Sequence, residues 1–181
     1  MREIQGLKWV RVLDGRPEGL PESRPRGAKA KGVAFESAVA QAEGFVRARH
    51  GIWLEYADAN GGGFAQPDFV FVQDGGLIVA EVKLTWRVEA YRQLRGLYWP
   101  LLRLLAGVPI GGIVVCRGLT QETPKGHVVD DLTTALALAR SEPGVVPVLH
   151  LPFVGESRRS SRRGRSPSAK HPAWWAQGEA N

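Results

Sequence analysis

A single cysteine, Cys116, stands in the 181-residue sequence, so no disulfide closes within the chain and no cysteine-based zinc cluster can be built from it. Preceded by Ile113, Val114 and Val115, it reads as a small buried hydrophobe in a reducing compartment. Histidine is scarce too. His50, His127, His150 and His171 have no metal-ligand or triad-like spacing, and they read as loop or packing residues. No apolar run approaches the ~18 residues of a membrane span, and the opening MREIQGLKWV has no signal-peptide apolar core. The expectation is a cytoplasmic protein with no membrane partner. Gly61-Gly62-Gly63 lacks the Gly-x-Gly-x-x-Gly and Walker spacings and precedes no Lys-Ser/Thr, so it reads as a flexible loop at the rim of a site, not a nucleotide cradle.

What the sequence has in excess is positive charge, and it sits at the two ends. The formal net charge is +6, with 24 Lys+Arg against 18 Asp+Glu. Residues 1–31 hold eight basic and four acidic side chains, and residues 157–181 hold six basic side chains and only Glu179 as an acid. The ends therefore carry +9 and the stretch between them −3. Three regions follow: an N-terminal strand and basic arm over 1–31, a folded domain over 32–154, and a basic low-complexity tail over 155–181, which is too poor in apolar residues to order by itself. Arg158, Arg159, Arg162, Arg163 and Arg165 suit a polyanion such as DNA. Each phosphate neutralised on duplex DNA releases counterions, with a log–log salt slope of about −0.9 per contact, and such contacts carry no sequence preference. A solubilising tail, or one that binds a protein partner, is the other reading. Trp174-Trp175 beyond it fits either docking on the body or a partner, or a locally collapsed terminus.

Periodicity lays out an α/β chain. Leu7–Leu13 reads as a short strand and Leu20–Gly32 as a loop. Val33–Arg49 reads as a helix with Phe35, Val39, Ala42 and Val46 on one face. Ile52–Ala57 is a strand, followed by the turn-rich ADANGGG. Phe69–Val72 and Leu77–Val82 are two apolar runs joined by QDGG, a strong hairpin signal. Leu84–Leu105 reads as one long helix with Val88, Tyr91, Leu94, Tyr98, Leu101 and Leu105 inward, kinked or broken at Pro100. Gly111–Arg117 is a buried strand, Asp130–Arg140 a helix with acids at its start, and Val145–Leu149 a last strand. Asp58 reads as a turn residue.

The hairpin carries the chemistry. Pro67-Asp68 precedes it and Glu81-Val82-Lys83 ends it, so three charged groups border two apolar strands. Side chains alternate along a strand, which puts Glu81 and Lys83 on one face. With Asp74-Gly75 as the turn, Asp68 lies opposite Glu81; with Gly75-Gly76 as the turn, it lies opposite Lys83 and diagonal to Glu81. Both registers gather the three on one face. Facing carboxylates in a desolvated sheet are costly, and a divalent cation offsets that cost. Mg²⁺ takes hard oxygen ligands, commonly one or two carboxylates, and retains waters. Asp68 and Glu81 would be such ligands, with the Val82 carbonyl a candidate third and Lys83 placed to orient or activate an attacking water; the other reading is an ordinary solvated hairpin face with a cross-strand Glu–Lys pair.

These residues resemble the signature of the PD-(D/E)xK nuclease superfamily. The resemblance implies a restriction-endonuclease-like αβββαβ core, a mixed central sheet flanked by helices, covering about Gly32 to Arg117. It further implies a phosphodiester hydrolase that acts on DNA with Mg²⁺, for which Mn²⁺ substitutes. In that family an acid on the first helix completes the metal site, and Glu36 in KGVAFE is the matching residue. KGVAFE also resembles the opening of archaeal-type Holliday-junction resolvases, which act as dimers. YRQLRGLYWPLL resembles the Gln-x-x-x-Tyr helix of RecB-like and Cas4-like exonucleases, where the glutamine orders the site. Here Gln93 fills its place, but Leu97 stands at the tyrosine position and Tyr98 comes one residue late. A repair or recombination nuclease, endo- or exonucleolytic, is thus expected, with a junction resolvase as the alternative. The rival outside enzymes is a non-catalytic DNA-binding or assembly subunit that keeps the fold.

Overall fold

Asp74-Gly75 closes the central hairpin, and its geometry decides the register. Both residues lie at positive φ, 48° and 76°, as a two-residue turn matched to right-handed strand twist requires. Gln73 therefore pairs with Gly76, and β4 (Phe69–Gln73) runs antiparallel to β5 (Gly76–Thr85) with Phe69 opposite Ala80. Of the two registers open to the sequence, this one sets Asp68 against Glu81.

The computed structural model of the chain describes residues 3–21, 25–142 and 144–152. Arg158, Arg159, Arg162, Arg163, Arg165 and Trp174-Trp175 lie outside them. A mixed five-stranded sheet has the order β4-β5-β6-β8-β7. In it β6 (Ile110–Gly118) runs parallel to β5, and β8 (Val148–His150) runs parallel to both β6 and β7 (Val128–Val129). Because side chains alternate, each strand feeds two cores. Phe69, Phe71, Ile78, Ala80, Ile113 and Val115 pack with Phe35 and Val39 of α1 (Ala28–Ala40) and with Ala135 and Ala139 of α4 (Leu132–Ser141). Val79, Val114, Cys116 and Val148 pack on the other side with Leu94, Tyr98, Leu101 and Leu102. Each such fully buried aliphatic side chain contributes about 1.5–3 kcal/mol relative to exposure. Cys116 is fully buried, as expected, and burial pushes its thiol up to about 11.

Gly111 sets the distance between α4 and the sheet. A Cβ there would stand 2.6 Å from the Ala139 carbonyl oxygen, a backbone atom that moves only with the helix. Gly111→Ala is expected to destabilise the fold by about 1–3 kcal/mol through overpacking, read as a lower urea midpoint at unchanged m-value. An unshifted midpoint would mean that α4 has room to move. At the other end of the same contact, Asp131 caps α4 by accepting from the Thr134 N–H at 2.7 Å, as the acids at its start lead one to expect.

Several sequence expectations change. α1 begins at Ala28, inside the segment read as a loop, and ends at Ala40. A 3₁₀ turn over Phe45–Arg47 follows Gly44 (φ 87°), so Phe45 enters the core in place of Val46, which is 69% exposed. Gly61-Gly62-Gly63 is no loop. β3 (Gly61–Ala65) pairs with β2 (Trp53–Asp58), which pairs with β1 (Trp9–Leu13), in a separate antiparallel sheet. Gly63 stays without a side chain there because a Cβ would strike the Tyr56 hydroxyl at 2.7 Å. The strand after α1 thus joins the small sheet and not the β4–β5 hairpin, so the αβββ order expected in one sheet is not what the chain forms. Asp58 is buried at the β2–β3 turn, accepting from Asn60 N–H at 2.8 Å, in keeping with a turn residue.

The long helix starts later than its periodicity suggests. β5 runs on to Thr85, which pairs with Gly118 of β6, and Trp86 N–H still bonds the Gly118 carbonyl at 2.8 Å. α2 (Val88–Gln93) then continues through a π turn, Leu94–Tyr98, into α3 (Trp99–Ala106). Pro100 neither breaks nor ends it. The missing proline amide falls just after the π turn, where the regular ladder is already interrupted. Past that turn Leu101 and Leu102 face the core while Leu105 is 38% exposed, so the straight apolar stripe drawn from the sequence does not hold to its end. Among the described residues no helix is long and apolar enough to cross a membrane.

Candidate active site

Proline at 67 ends the hairpin ladder in a chemically useful way. In a two-residue hairpin the pair closing the turn is hydrogen-bonded and every second pair after it is too, so bonded pairs fall at 73/76, 71/78 and 69/80. The next would be Pro67 with Val82. Pro67 has no N–H to give, so the Val82 carbonyl loses its ladder donor on this edge. The Val82 N–H is instead taken by the Asp68 side chain, whose Oδ2 accepts it at 2.7 Å.

Opposite Asp68, Glu81 is 1% exposed. Lys83, two residues on and on the same face, holds its Oε1 through the ammonium. Its Oε2 is buried and takes no hydrogen bond. The Tyr98 hydroxyl lies 2.7 Å from the Gln66 carbonyl and within hydrogen-bonding reach of the Glu81 carboxylate, and its single proton serves one of them at a time. Burial first, and then the Asp68 charge, push the Glu81 carboxyl up to about 7 against the pull of Lys83. Asp68 is raised by burial as well, against the Val82 N–H and Lys83. Glu36, half-buried on α1, is raised by burial and then by Asp68. Three carboxyl groups and one ammonium therefore share one poorly solvated neighbourhood, which favours either protonation or a bound cation. Glu36 stands in the electrostatic field of the pair. Among the described residues no three His, Cys, Asp or Glu side chains form a ready-made ligand group. Asp68 and Glu81 are near enough for the Asp68 charge to act on Glu81, and the Asp68 carboxylate reaches the Val82 backbone at its N–H. Two such carboxylates suit Mg²⁺, which completes its octahedron with water.

Gln93 sits one layer out. It donates from Nε2 to the Tyr98 hydroxyl at 2.7 Å, and so reaches the neighbourhood of Glu81 through Tyr98. The register problem in the sequence resolves here. In the π turn Trp99 N–H bonds the Leu94 carbonyl five residues back, which absorbs one extra residue per turn and brings Tyr98 under Gln93. Tyr98 is the participant that the sequence expectations did not include as a site residue. Its signals were a place one residue late in the Gln-x-x-x-Tyr pattern and a hydroxyl on a mostly apolar stripe, since a buried tyrosine oxygen needs a partner.

His50 and His150 are taken up by packing and backbone contacts, and His171 lies outside the described residues. His50 packs edge-on against Phe69, and a ring nitrogen of His150, Nε2, lies 3.0 Å from the Arg117 carbonyl oxygen, as loop and packing residues do. Compared with family models, with curated proteins and with solved structures, the chain shows no significant match to any.

Proposed function

We propose that this chain is a Mg²⁺-dependent deoxyribonuclease of the PD-(D/E)xK kind, hydrolysing phosphodiester bonds in DNA. One observation carries the reading: Asp68 faces Glu81 at the end of a ladder that Pro67 cuts short, with Glu81 Oε2 buried and unbonded. Taking a carboxylate out of water is costly, and here Lys83 pairs with only one of its oxygens. Asp68, Glu81 and the Val82 carbonyl would hold Mg²⁺ or Mn²⁺, with Glu36 reinforcing the negative field. When bound, the ion offsets charge on the scissile phosphate and leaving oxygen and makes water a stronger nucleophile. Lys83 is the group that orients the attacking water or a phosphate oxygen, since its stem is anchored in β5 and its ammonium already reaches Glu81. Gln93 steadies the site through Tyr98. The arginines of the tail would draw DNA toward an otherwise acidic body by non-specific phosphate contacts.

The test is cleavage by the purified full chain of linear, nicked, branched and single-stranded DNA, and of RNA, with Mg²⁺, Mn²⁺ or EDTA. Cleavage is expected with either metal, none in EDTA, and recovery when Mg²⁺ is restored in excess. Binding without cleavage under every divalent metal would replace this reading with that of a non-catalytic DNA-binding subunit. Paired symmetric nicks at a branched substrate, made by a dimer, would narrow it to a junction resolvase.

A further inference from the structure

We propose that Tyr98 is a positioning residue that fixes Asp68 through the backbone of Gln66, and that the π turn before Pro100 exists to place it. The catalytic consequence rests on the reading of Asp68 as a metal ligand; the positioning itself does not.

The argument starts from helix geometry. At about 100° per residue, side chains four apart in an α-helix share a face, whereas those five apart are turned about 140° away from one another. An α-helical Tyr98 would point away from Gln93 and from the strand ends. The π turn over Leu94–Tyr98 removes that offset, and the result is a continuous chain of bonds: Gln93 Nε2 to the Tyr98 hydroxyl at 2.7 Å, and that hydroxyl to the Gln66 carbonyl at 2.7 Å. The ring is 1% exposed and packed among Leu54, Leu94 and Leu101, so the hydroxyl has little freedom.

The far end of this chain is the crossing segment Gln66–Asp68, which carries the backbone from the small sheet to the large one. β3 stops at Ala65 and β4 starts at Phe69, and Pro67 contributes no amide between them. Among the described residues two hydrogen bonds hold the segment. One is Tyr98 to Gln66, and the other is Asp68 itself to Val82 N–H. Loss of the first leaves the candidate ligand tethered by its own carboxylate. π turns interrupt a regular hydrogen-bond ladder and recur at functional sites. Here the interruption delivers one hydroxyl to the carbonyl two residues before Asp68.

Tyr98→Phe tests this, because it keeps the ring and removes only the hydroxyl. Three measurements are made on the full chain: hydrogen exchange of the Val82 amide, Mn²⁺ affinity by calorimetry, and the urea midpoint. The Val82 amide is expected to exchange about tenfold faster relative to the amides of α4, the loss of one hydrogen bond's protection. Mn²⁺ affinity is expected to fall about tenfold, as on losing an outer-shell partner of a ligand. Gln93→Ala leaves the Tyr98–Gln66 bond in place and should produce a smaller change in both. If Val82 and α4 amides speed up by the same factor in Tyr98→Phe, the hydroxyl serves general stability and the proposal fails, whatever the urea midpoint does. It fails equally if neither changes. Should the wild type bind no Mn²⁺, the nuclease reading falls, and the Val82-to-α4 ratio still decides the positioning role by itself.

Discussion

Asp68→Asn is expected to reduce Mg²⁺-dependent cleavage by about 10³-fold or more in a protein that folds as the wild type does. The asparagine keeps a side-chain oxygen able to accept from Val82 N–H, so the segment before β4 stays anchored. The substitution removes one of two carboxylates facing each other at the strand end, and with it a ligand charge. Charge stabilisation by a bound metal amounts to several kcal/mol in the transition state, and a loss of about 4 kcal/mol corresponds to about 10³ in rate. The measurement is kcat on linear DNA at saturating Mg²⁺, with a thermal melt to confirm folding and a Mn²⁺ titration to confirm lost affinity. A folded variant that cuts within tenfold of wild type rules Asp68 out as a ligand. Repulsion on Glu81 is also relieved, since Asp68 is the second cause of its raised carboxyl. The metal-free variant should therefore melt no lower than wild type.

Glu81→Gln should make the metal-free protein more stable above pH 7 while abolishing cleavage. The Glu81 carboxyl, ordinarily at 4.5, is pushed up to about 7 by burial and Asp68, so the native state holds its proton more tightly than the unfolded chain does. A group raised in this direction contributes stability that is fully present below about 4.5 and is lost as the pH climbs through about 7. At 1.36 kcal/mol per pKa unit the loss from Glu81 is on the order of 3 kcal/mol. Asp68 and Glu36 are raised in the same sense and add to it. The neutral glutamine has no proton to lose, so the difference between the two proteins isolates the Glu81 contribution. Added Mg²⁺ should return stability to the wild type at pH 8, by about 2.7 kcal/mol at a hundredfold excess over Kd, and return none to Glu81→Gln. Urea unfolding at pH 5 and pH 8, with and without Mg²⁺, reads all of this. A metal-free wild type that gains stability relative to Glu81→Gln between those pH values would show that Lys83 already compensates the carboxylate, and the case for a missing cation would go with it. The opposite, expected outcome would mark the two carboxylates as groups kept at a cost to the metal-free fold.

How much of this was readable in advance follows from the range of the forces involved. Local chemistry was legible in the sequence. Asp74-Gly75 between two apolar runs announced a hairpin because few residues tolerate positive φ, and Asp131 before an apolar helix announced a cap. The isolated Cys116 among valines announced burial. Alternation along a strand was enough to place Glu81 and Lys83 on one face, and either hairpin register brought Asp68 to them. What stayed open depended on partners distant in the chain. β2 looks the same in sequence whether it joins the hairpin or β1 and β3, and Gly61-Gly62-Gly63 becomes a strand only because Tyr56 and its neighbours lie beside it. The strand β5 outlasts its apolar run because β6 pairs with it as far as Gly118. Gln93 and Tyr98 looked one residue out of step, since a helical pattern assumes a constant 100° per residue. A π turn breaks that assumption, and it forms where tertiary bonds repay the strained ladder. The sequence alone determined which residues carry charge beside the hairpin and therefore which chemistry is available. Only the tertiary structure decided that Pro67 leaves the Val82 carbonyl without its ladder donor, that Glu81 Oε2 is buried without a partner, and that Tyr98 reaches Gln66, because each is a contact between segments that local preference does not bring together.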